Sequence, residues 1–165
     1  MEWRAVVGYE GLYEVSDSGA VRSLDRIKRN RWGDYTQRGR ILKAATTKDG
    51  YPIVALMRDG ELKSHRVHVL VLAAFVGPRP DGLQACHFDG DPSNNRIENL
   101  RWDTGSANTL DKIRHGTHTQ AAQTHCKRGH PLTGPEADVL IRTCGRRRCR
   151  PCERDGQRRR RAEVA

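Results

Sequence analysis

A polar segment with short apolar flanks, residues 83–114, constrains most strongly what this chain can fold into. Residues 83–87 and 99–104 each have the composition of a short strand, and a polar loop separates them. Ser106 begins a predicted helix that ends near Arg114. The order strand, loop, strand, helix predicts a compact unit in which a residue of the first strand lies opposite side chains of the helix.

Three polar residues of this segment have a characteristic spacing. His87 is followed by Asn99 twelve positions later, and Asn108 lies nine positions beyond Asn99. This spacing is that of an HNH nuclease centre, and residues 65–118 resemble the HNH family of phage and intron-encoded homing endonucleases. The resemblance implies a ββα-metal fold and metal-assisted cleavage of a phosphodiester bond. The alternative is that the three residues are loop and cap residues of an ordinary domain.

The resemblance also implies a catalytic role for each of the three residues. His87 is the expected general base, because the imidazole of a histidine exchanges its proton near neutral pH and can take one from water. Asn99 is expected to support the loop and His87 without touching metal. Asn108 is expected to offer its amide oxygen to a divalent cation, and oxygen ligands favour Mg²⁺ or Mn²⁺ over zinc. That cation would neutralise charge on the phosphate and on the leaving 3′ oxygen.

Cys86 is a departure from the family pattern. In related nickases the residue before the general base is an Asp that helps to hold the metal, and a thiol is a poor ligand for a hard cation. Either Asn108, DNA oxygens and water hold the metal, or another carboxylate helps. Four carboxylates lie nearby in the sequence: Asp89, Asp91, Asp103 and Asp111. The departure keeps open a second hypothesis, an HNH-derived DNA-binding protein that has lost cleavage.

An apolar run, residues 68–75, precedes this segment. It predicts a buried helix that ends before Gly77-Pro78, although its β-branched residues leave a strand open for the first half. His68 begins the run. We expect a partly buried histidine that hydrogen bonds satisfy, with a contribution to the active site as the alternative.

Residues 1–62 predict a β-rich N-terminal module. Alternating residues at 12–16 and 20–24 flank an Asp-Ser-Gly turn and predict a hairpin. A basic insert that we expect to be loop-like follows, with Trp32 and Tyr35 among its charges. Such an insert either contacts DNA phosphates or is an incidental loop on a small β scaffold.

The start of this module resembles a second family. The order of Trp3, residues 8–11 (Gly-Tyr-Glu-Gly), Tyr13, Ser16 and Gly19 resembles a nuclease-associated modular domain (NUMOD). Such a module usually precedes HNH centres in phage and intron-encoded endonucleases. The resemblance implies an accessory role in contacting DNA.

Residues 119–165 begin with linker composition and then bring together soft metal ligands. Cys126 and His130 form a C-x3-H pair, and Cys149 and Cys152 form a C-x2-C pair. Two such pairs supply four ligands for a structural, tetrahedral Zn²⁺, which a segment this short and polar needs in order to fold. Similar tails follow HNH centres in phage proteins. The alternative is a disordered basic tail with unligated thiols.

The same region contains two competitors for the metal and a basic end. Cys144 is left over, either to compete with Cys149 or to pack, and His125 fits the ligand spacing less well than His130. The region of Arg159–Arg161 predicts a mobile tail that binds phosphate.

The charge balance indicates the partner. The chain has 30 Lys and Arg against 20 Asp and Glu, a formal net charge of +10, and its 36% hydrophobic residues are too few for one large core. This basic excess favours an anionic partner, and we expect double-stranded DNA because no RNA-reading motif is present. The residues expected to contact DNA are Arg22, Arg26, Lys28, Arg29, Arg31, Arg38, Arg40, Arg96, Arg101, Arg146, Arg147, Arg148, Arg158, Arg159, Arg160 and Arg161.

No membrane or export segment is expected. The longest apolar run, residues 67–76, is too short to span a bilayer, and the N-terminus has no apolar core of a signal peptide. We therefore expect a protein that is not secreted and acts in the cytoplasm of a bacterial or phage-infected cell. Two arrangements stay open, a monomer that nicks one strand and a dimer that cuts both.

These observations predict an α+β protein of three modules. Residues 1–62 form a β-rich, DNA-contacting module, residues 63–118 an HNH ββα-metal core, and residues 119–165 a linker, a zinc-knuckle-like module and a basic tail. The predicted function is that of a metal-dependent HNH DNA endonuclease, with Mg²⁺ or Mn²⁺ for catalysis and Zn²⁺ for structure.

Overall fold

The computed structural model describes residues 1–141 and 147–162, and its mixture of helices and strands confirms the predicted α+β class. The chain divides into two compact units, Met1–His115 and Gly116–Ala165. Among the helices of the described residues, none is long and apolar enough to cross a membrane.

The first unit begins with a three-stranded antiparallel sheet. Its strands are β1 (Trp3–Ala5), β2 (Tyr13–Ser16) and β3 (Val21–Ser23), with β2 in the middle. The pairing of β2 with β3 confirms the hairpin that alternation predicted. Gly19 in its turn has a φ of +87°, a backbone conformation that favours glycine.

A two-stranded hairpin stands in place of the expected loop-like insert. β4 (Arg26–Asn30) pairs with β5 (Gly33–Gln37) along the full length of both strands. The turn favours this pairing, because Oδ1 of Asn30 accepts a hydrogen bond from the backbone N–H of Trp32 at 2.8 Å and Gly33 takes a φ of 122°. The loop prediction was wrong because both faces of these strands carry polar residues, which hides the alternation on which a strand prediction depends.

A second three-stranded antiparallel sheet follows. Its strands are β6 (Ala45–Thr46), β7 (Pro52–Arg58) and β8 (Glu61–Arg66), with β7 in the middle. Asp59 and Gly60, the two residues between β7 and β8, have φ values of 51° and 82°. Positive φ at both positions matches the twist of a two-residue hairpin.

The strand, loop, strand, helix order predicted for the polar segment is confirmed. Helix α1 (Val67–Phe75) precedes it, β9 (Leu83–His87) pairs antiparallel with β10 (Leu100–Thr104), and α2 (Gly105–Arg114) follows directly. The β9–β10 pair and α2 therefore form the two strands and the helix of the expected ββα arrangement.

Local contacts fix the ends of these elements. The loop between β9 and β10 ends in a single 3₁₀ turn, Ile97–Asn99, and Leu100 then lies opposite His87 in the strand register. Oγ1 of Thr104 accepts a hydrogen bond from the backbone N–H of Ala107 at 3.1 Å and so caps the start of α2.

One hydrophobic core joins the N-terminal strands to α1 and β10. Its buried side chains include Val15 of β2, Leu56 of β7, Leu72 of α1 and Leu100 of β10. Since these strands and helices contribute to the same interior, the N-terminal module and the polar segment share one core.

The second unit contains short elements and a basic helix. Its elements are α3 (Thr119–Ala122), β11 (Val139–Ile141), β12 (Arg147–Cys149) and α4 (Arg150–Ala162), and β11 pairs antiparallel with β12. The region of Arg159–Arg161, which was expected to form a mobile tail, lies in helix α4.

Ion pairs and good helix formers account for α4. Asp138 pairs with Arg154, and it also lies 3.7 Å from Nη1 of Arg150, so one carboxylate binds two arginines of the first two turns of the helix. Arginine has a high helix propensity, which supports the remaining turns. Two residues named from the sequence, Cys144 and Arg146, lie outside the described residues.

Removal of the Leu56 side chain tests the shared core. Leu56→Ala is expected to lower the free energy of unfolding by about 2–5 kcal/mol, because it leaves a cavity in place of a side chain with no exposed surface. Leu62→Ala is the matched control, since Leu62 is 60% exposed and should contribute less than about 0.5 kcal/mol. Urea unfolding measures both losses, and equal losses would contradict a core that includes Leu56.

Candidate functional site

His87 ends β9 and lies in a cluster of rings. Its side chain is 8% exposed, and its ring centroid lies 5.0 Å from that of His68 and 6.1 Å from that of Tyr51. The rings of Tyr51 and His68 are themselves 5.2 Å apart. Contacts with α1 and with Tyr51, which lies just before β7, therefore restrict the orientation of the His87 ring.

Asn95 determines which nitrogen of His87 carries the proton. Oδ1 of Asn95 lies 3.3 Å from Nε2 of His87, while Nδ2 of Asn95 donates to the carbonyl oxygen of Ser93 at 3.0 Å. The bond to Ser93 fixes the direction of the amide, so its oxygen faces His87. Because an amide oxygen only accepts, Nε2 of the neutral ring is the protonated nitrogen and Nδ1 keeps its lone pair.

Asn99 holds the loop that follows His87. Its Nδ2 donates to Oδ1 of Asp89 and to the carbonyl oxygen of Asn94, both at 2.9 Å. Its backbone carbonyl accepts a hydrogen bond from the N–H of Phe88 at 2.9 Å. The structure thus places Asn99 where it supports the loop, whereas the side-chain partner of His87 is a different asparagine.

Asn108 lies on α2 beside strand β9. Its Nδ2 donates to Oε1 of Gln84 at 3.4 Å. This bond turns the amide nitrogen towards β9 and leaves Oδ1 as the atom that can bind a cation. In the part of the chain that the structure describes, no hydrogen bond or ring contact joins Asn108 directly to His87, so a bound phosphate would have to connect them.

The thiol of Cys86 is not a ligand for a hard cation. It is 2% exposed and lies 3.5 Å from the carbonyl oxygen of Gln84. Burial raises the pKa of the Cys86 thiol, so it stays protonated at neutral pH. Thiolate, rather than thiol, is the form that binds metals.

The four nearby carboxylates are bound to other groups of the protein. Asp103 and Asp111 both pair with Arg101, whose hydrogen bond lowers the pKa of Asp103. Asp89 accepts hydrogen bonds from the side-chain amides of Asn94 and Asn99. Asp91 accepts hydrogen bonds from the backbone N–H and the hydroxyl of Ser93. The residues present therefore fit a divalent cation only in part. Asn108 offers a neutral amide oxygen, whereas each of the four carboxylates is already bound to another group of the protein.

His68 is a buried, neutral histidine. Its side chain is 2% exposed, and its Nδ1 is buried without a hydrogen-bond partner among the described residues. Burial lowers the pKa of His68 to about 4, and the charges of His87 and Arg66 act in the same direction. The expectation that hydrogen bonds satisfy this residue is wrong for Nδ1.

The β4–β5 hairpin carries an exposed basic surface. Lys28 and Arg29 are exposed, and the Arg31 guanidinium lies 3.9 Å from the ring centroid of Trp32, which is 78% exposed. Ile27 is also 76% exposed. Exposed cations next to exposed rings suit contact with phosphates and bases.

Several of the arginines expected to contact DNA are engaged within the protein, among them Arg22, Arg101 and Arg147. Arg22 pairs with Glu14 at 2.6 Å and lies 4.2 Å above the ring of Trp3. Arg101 binds two aspartates, and Arg147 donates to three backbone carbonyls of the segment from 120 to 123. Of the other described candidates, Arg26 is half-buried. The exposed ones are Lys28, Arg29, Arg31, Arg38, Arg40, Arg96, Arg148, Arg158, Arg159, Arg160 and Arg161.

Cys126, His130, Cys149 and Cys152 bring four ligand atoms within 4.8 Å of one another. Nδ1 of His130 lies 3.4, 3.5 and 3.3 Å from the three sulfur atoms, and Sγ of Cys126 lies 3.7 Å from Sγ of Cys152. Zinc bonds of about 2.3 Å to sulfur and about 2.0 Å to nitrogen give tetrahedral edges of about 3.8 and about 3.5 Å. The distances in the cluster therefore fit a tetrahedral zinc ion.

Two neighbours of His87 were not predicted from the sequence. Asn94 and Asn95 are adjacent, and nothing in their spacing from His87 shows which of them turns inward. Tyr51 belongs to a distant part of the sequence and reaches the ring only through the packing of the first unit. The one signal for Asn95 in the sequence was that two asparagines are adjacent in the loop after His87.

Two family models match the chain. The first 57 residues, 1–57, match the model described as NUMOD4 motif, and residues 65–110 match the model described as HNH endonuclease. The second match contains His87, Asn99 and Asn108. The two matched ranges lie within the first compact unit.

Two curated proteins and a solved structure are similar to this chain. DNA endonuclease I-HmuI of Bacillus phage SP01 is 37% identical over 117 residues, which are 71% of this chain and 60% of that protein. An uncharacterized HNH endonuclease of Acanthamoeba polyphaga mimivirus is 26% identical over 70% of this chain and 31% of its own length. The structure on DNA binding and cleavage by the HNH homing endonuclease I-HmuI matches with a TM-score of 0.58, over 71% of this chain and 60% of that one. The chain thus spans less than two thirds of these relatives.

Stability in acid tests the neutral state of His68. Its pKa in the folded protein, about 4, lies below the ordinary value of 6.5, so the unfolded chain binds more protons between these values and stability falls as the pH falls. This residue should cost about 2 kcal/mol of the free energy of unfolding between about pH 7 and pH 5.

The matched variant for this test is His68→Leu, which lacks the titrating ring. Asp89 and Asp103 titrate in both proteins, so their contributions cancel in the comparison. Urea unfolding at the two pH values should show a smaller loss for the variant. The same loss in both proteins would contradict a buried, neutral His68.

Proposed function

The chain carries a NUMOD4 motif followed by an HNH endonuclease domain similar to that of a phage homing endonuclease, and from this premise we propose that it is itself a DNA endonuclease. The observation that carries the proposal is the state of His87 at the end of β9. Its Nε2 faces Asn95, which leaves Nδ1 as a base in a segment with strand, loop, strand, helix order.

In the proposed reaction His87 activates water. Nδ1 takes a proton from a water molecule as that oxygen attacks phosphorus, and the bond from phosphorus to the 3′ oxygen breaks. Asn99 keeps the loop after β9 in place through its bonds to Asp89 and Asn94. The ring contacts of His87 hold the base at the end of the strand, so the chain supplies a fixed proton acceptor.

A divalent cation, Mg²⁺ or Mn²⁺, is the proposed cofactor of this centre. When bound, it supplies neutralisation of charge on the phosphate and on the leaving oxygen. Oδ1 of Asn108 would be its protein ligand, and phosphate and water oxygens would complete the shell, as Mg²⁺ sites with few protein ligands commonly do. Since Cys86 is a buried thiol, we propose no ligand at that position.

Double-stranded DNA is the proposed substrate. The exposed cations of the β4–β5 hairpin and of α4 support this, because Lys and Arg neutralise phosphates and release counterions. Trp32 adds an exposed ring to the hairpin. As one relative comes from a Bacillus phage, we propose the cytoplasm of a bacterial cell as the place of action.

The second candidate is a DNA-binding protein that has lost cleavage. The observation in its favour is the metal side of the centre, where Cys86 is protonated and Asp103 and Asp111 are both paired with Arg101. In this case the same basic surfaces bind DNA without hydrolysis. Cleavage assays distinguish the two functions.

Replacement of His87 tests the endonuclease. Purified protein is incubated with supercoiled plasmid and with phage genomic DNA, in Mg²⁺, in Mn²⁺ and in EDTA. We expect nicked or linear product only with metal, and His87→Ala should lower the rate by about 10²–10⁴-fold because the general base is lost. Nicked circles would indicate a single cut strand, and linear DNA a double-strand cut.

The control for this assay is His125→Ala. His125 is an exposed histidine whose Nδ1 lies 3.1 Å from Oγ1 of Thr124, and its loss should leave cleavage unchanged. The second candidate would be favoured if the protein binds a site on the DNA but does not cut that DNA with either Mg²⁺ or Mn²⁺. In that outcome Cys86→Asp is expected to restore cutting, since it returns a carboxylate to the centre.

We propose a structural zinc ion in the second unit. Three sulfur atoms and Nδ1 of His130 have the edge lengths of a tetrahedral site, and the backbone N–H of Arg128 donates to Sγ of Cys126 at 3.4 Å. Among the described residues of this unit few apolar side chains are buried, with Leu132 at 8% exposure. A metal would therefore stabilise a unit that has little core of its own.

Metal analysis of the purified protein tests this site. About one zinc per chain is expected, and His130→Ala should lose it, because three thiolates leave an open ligand position. His125→Ala, which changes a neighbouring histidine outside the cluster, should keep it. Zinc retained in His130→Ala, or absent from a folded wild-type protein with free thiols, would refute the site.

A further inference from the structure

Gly19 of the N-terminal module lies against the loop between β9 and β10. A Cβ on Gly19 would lie 2.8 Å from Cβ and 3.1 Å from the carbonyl oxygen of Asn95. A real Cβ essentially never lies 2.8 Å from another carbon, so a larger residue at position 19 must displace either Asn95 or the turn itself. The β2–β3 turn therefore defines where Asn95 can lie.

A backbone hydrogen bond joins the same two segments. The N–H of Ile97 donates to the carbonyl oxygen of Asp17 at 2.8 Å. The turn itself is held from its other side, because the backbone N–H of Asp17 donates to the carbonyl oxygen of Glu2 at 3.0 Å and Oδ2 of Asp17 accepts from the N–H of Glu2 at 3.0 Å. The β2–β3 turn, itself held by Glu2, is thus a fixed support for Asn95 and Ile97.

Asn95 passes this constraint to the ring of His87. It is 6% exposed, and its amide contacts Ser93 on one side and His87 on the other. A buried amide with both ends bonded cannot rotate without losing a hydrogen bond. A shift of the Asn95 backbone therefore moves the acceptor that faces Nε2.

We infer that the Asp17–Gly19 turn of the N-terminal module is a positioning device for His87, acting through Asn95. The inference rests on the proposed function, since it takes His87 as the general base. Asn95 is a positioning residue, because it contacts the base and lies buried beneath it. The N-terminal module then contributes to catalysis as well as to the DNA-contacting surface.

The chemical consequence is the choice of tautomer. With Oδ1 of Asn95 in place, the proton of neutral His87 stays on Nε2 and the lone pair stays on Nδ1. Without that acceptor, the proton can also lie on Nδ1, and the ring can turn. Each change lowers the fraction of protein with a base aimed at water, and loss of such a supporting partner typically costs about 10–100-fold in activity.

Two alanine variants of the N-terminal module separate positioning from strain. Gly19→Ala and Gly11→Ala each place a Cβ on a glycine with positive φ, +87° and +75°, but a Cβ at Gly11 meets nothing within 4 Å. Both should therefore suffer similar backbone strain. We expect Gly19→Ala to lower kcat for DNA cleavage by about tenfold or more beyond Gly11→Ala, with little change in KM because the buried Asn95 does not face DNA.

Nitrogen NMR of the imidazole rings reads the tautomer directly, with His87→Gln used to assign the signals. Wild type and Gly11→Ala should show His87 protonated at Nε2, and Gly19→Ala should show a mixture. At the other end of the device, Asn95→Asp keeps an acceptor and should keep the Nε2 tautomer, whereas Asn95→Leu should lose it. A merely structural role for Asn95 would not separate these two variants.

The outcomes decide the inference separately from the proposed function. Equal losses of kcat in Gly19→Ala and Gly11→Ala, or an Nε2 tautomer that persists in Asn95→Leu, would overturn it. If the wild-type protein does not cut DNA, the proposed function fails, and the NMR comparison still decides whether the turn sets the His87 tautomer.

Discussion

Packing of α1 between the N-terminal strands and the β9–β10 pair is the interaction on which the rest of the structure depends. Val71 and Leu72 have no exposed surface, and His68 on the same helix contacts the ring of His87. Because a chain this small and polar buries few apolar side chains, α1 supplies much of the interior that holds both modules together. The polar segment of residues 83–114 and the N-terminal module are therefore parts of one folded unit.

Short-range sequence patterns were sufficient to predict those strands and helices that neighbouring residues stabilise. Alternation and turn residues predicted the β2–β3 hairpin, and an apolar run predicted α1. The β4–β5 hairpin was not predicted, because neither face of its strands is apolar. Helix α4 was not predicted either, because part of its support comes from Asp138, which lies outside the helix just before β11 and pairs with Arg150 and Arg154.

The candidate site shows the same division between local and non-local causes. Spacing identified His87, Asn99 and Asn108, yet it could not show that Asn95 is the side chain bonded to His87. That arrangement depends on Gly19, which is far away in the sequence and meets Asn95 only in the folded protein. The cysteine and histidine cluster was predictable because two short spacings bring four ligand atoms together. A sequence pattern thus predicts which residues form a site more readily than it predicts how their side chains are oriented.

A crystal structure of the protein on a duplex that it cuts, with Ca²⁺ in place of the catalytic cation, tests the central claim most directly. The scissile phosphate should lie between His87 and Asn108, with a water molecule within about 3 Å of Nδ1 of His87 and with Nε2 on Asn95. A phosphate bound away from His87, or a ring that turns Nε2 towards the water, would contradict the account.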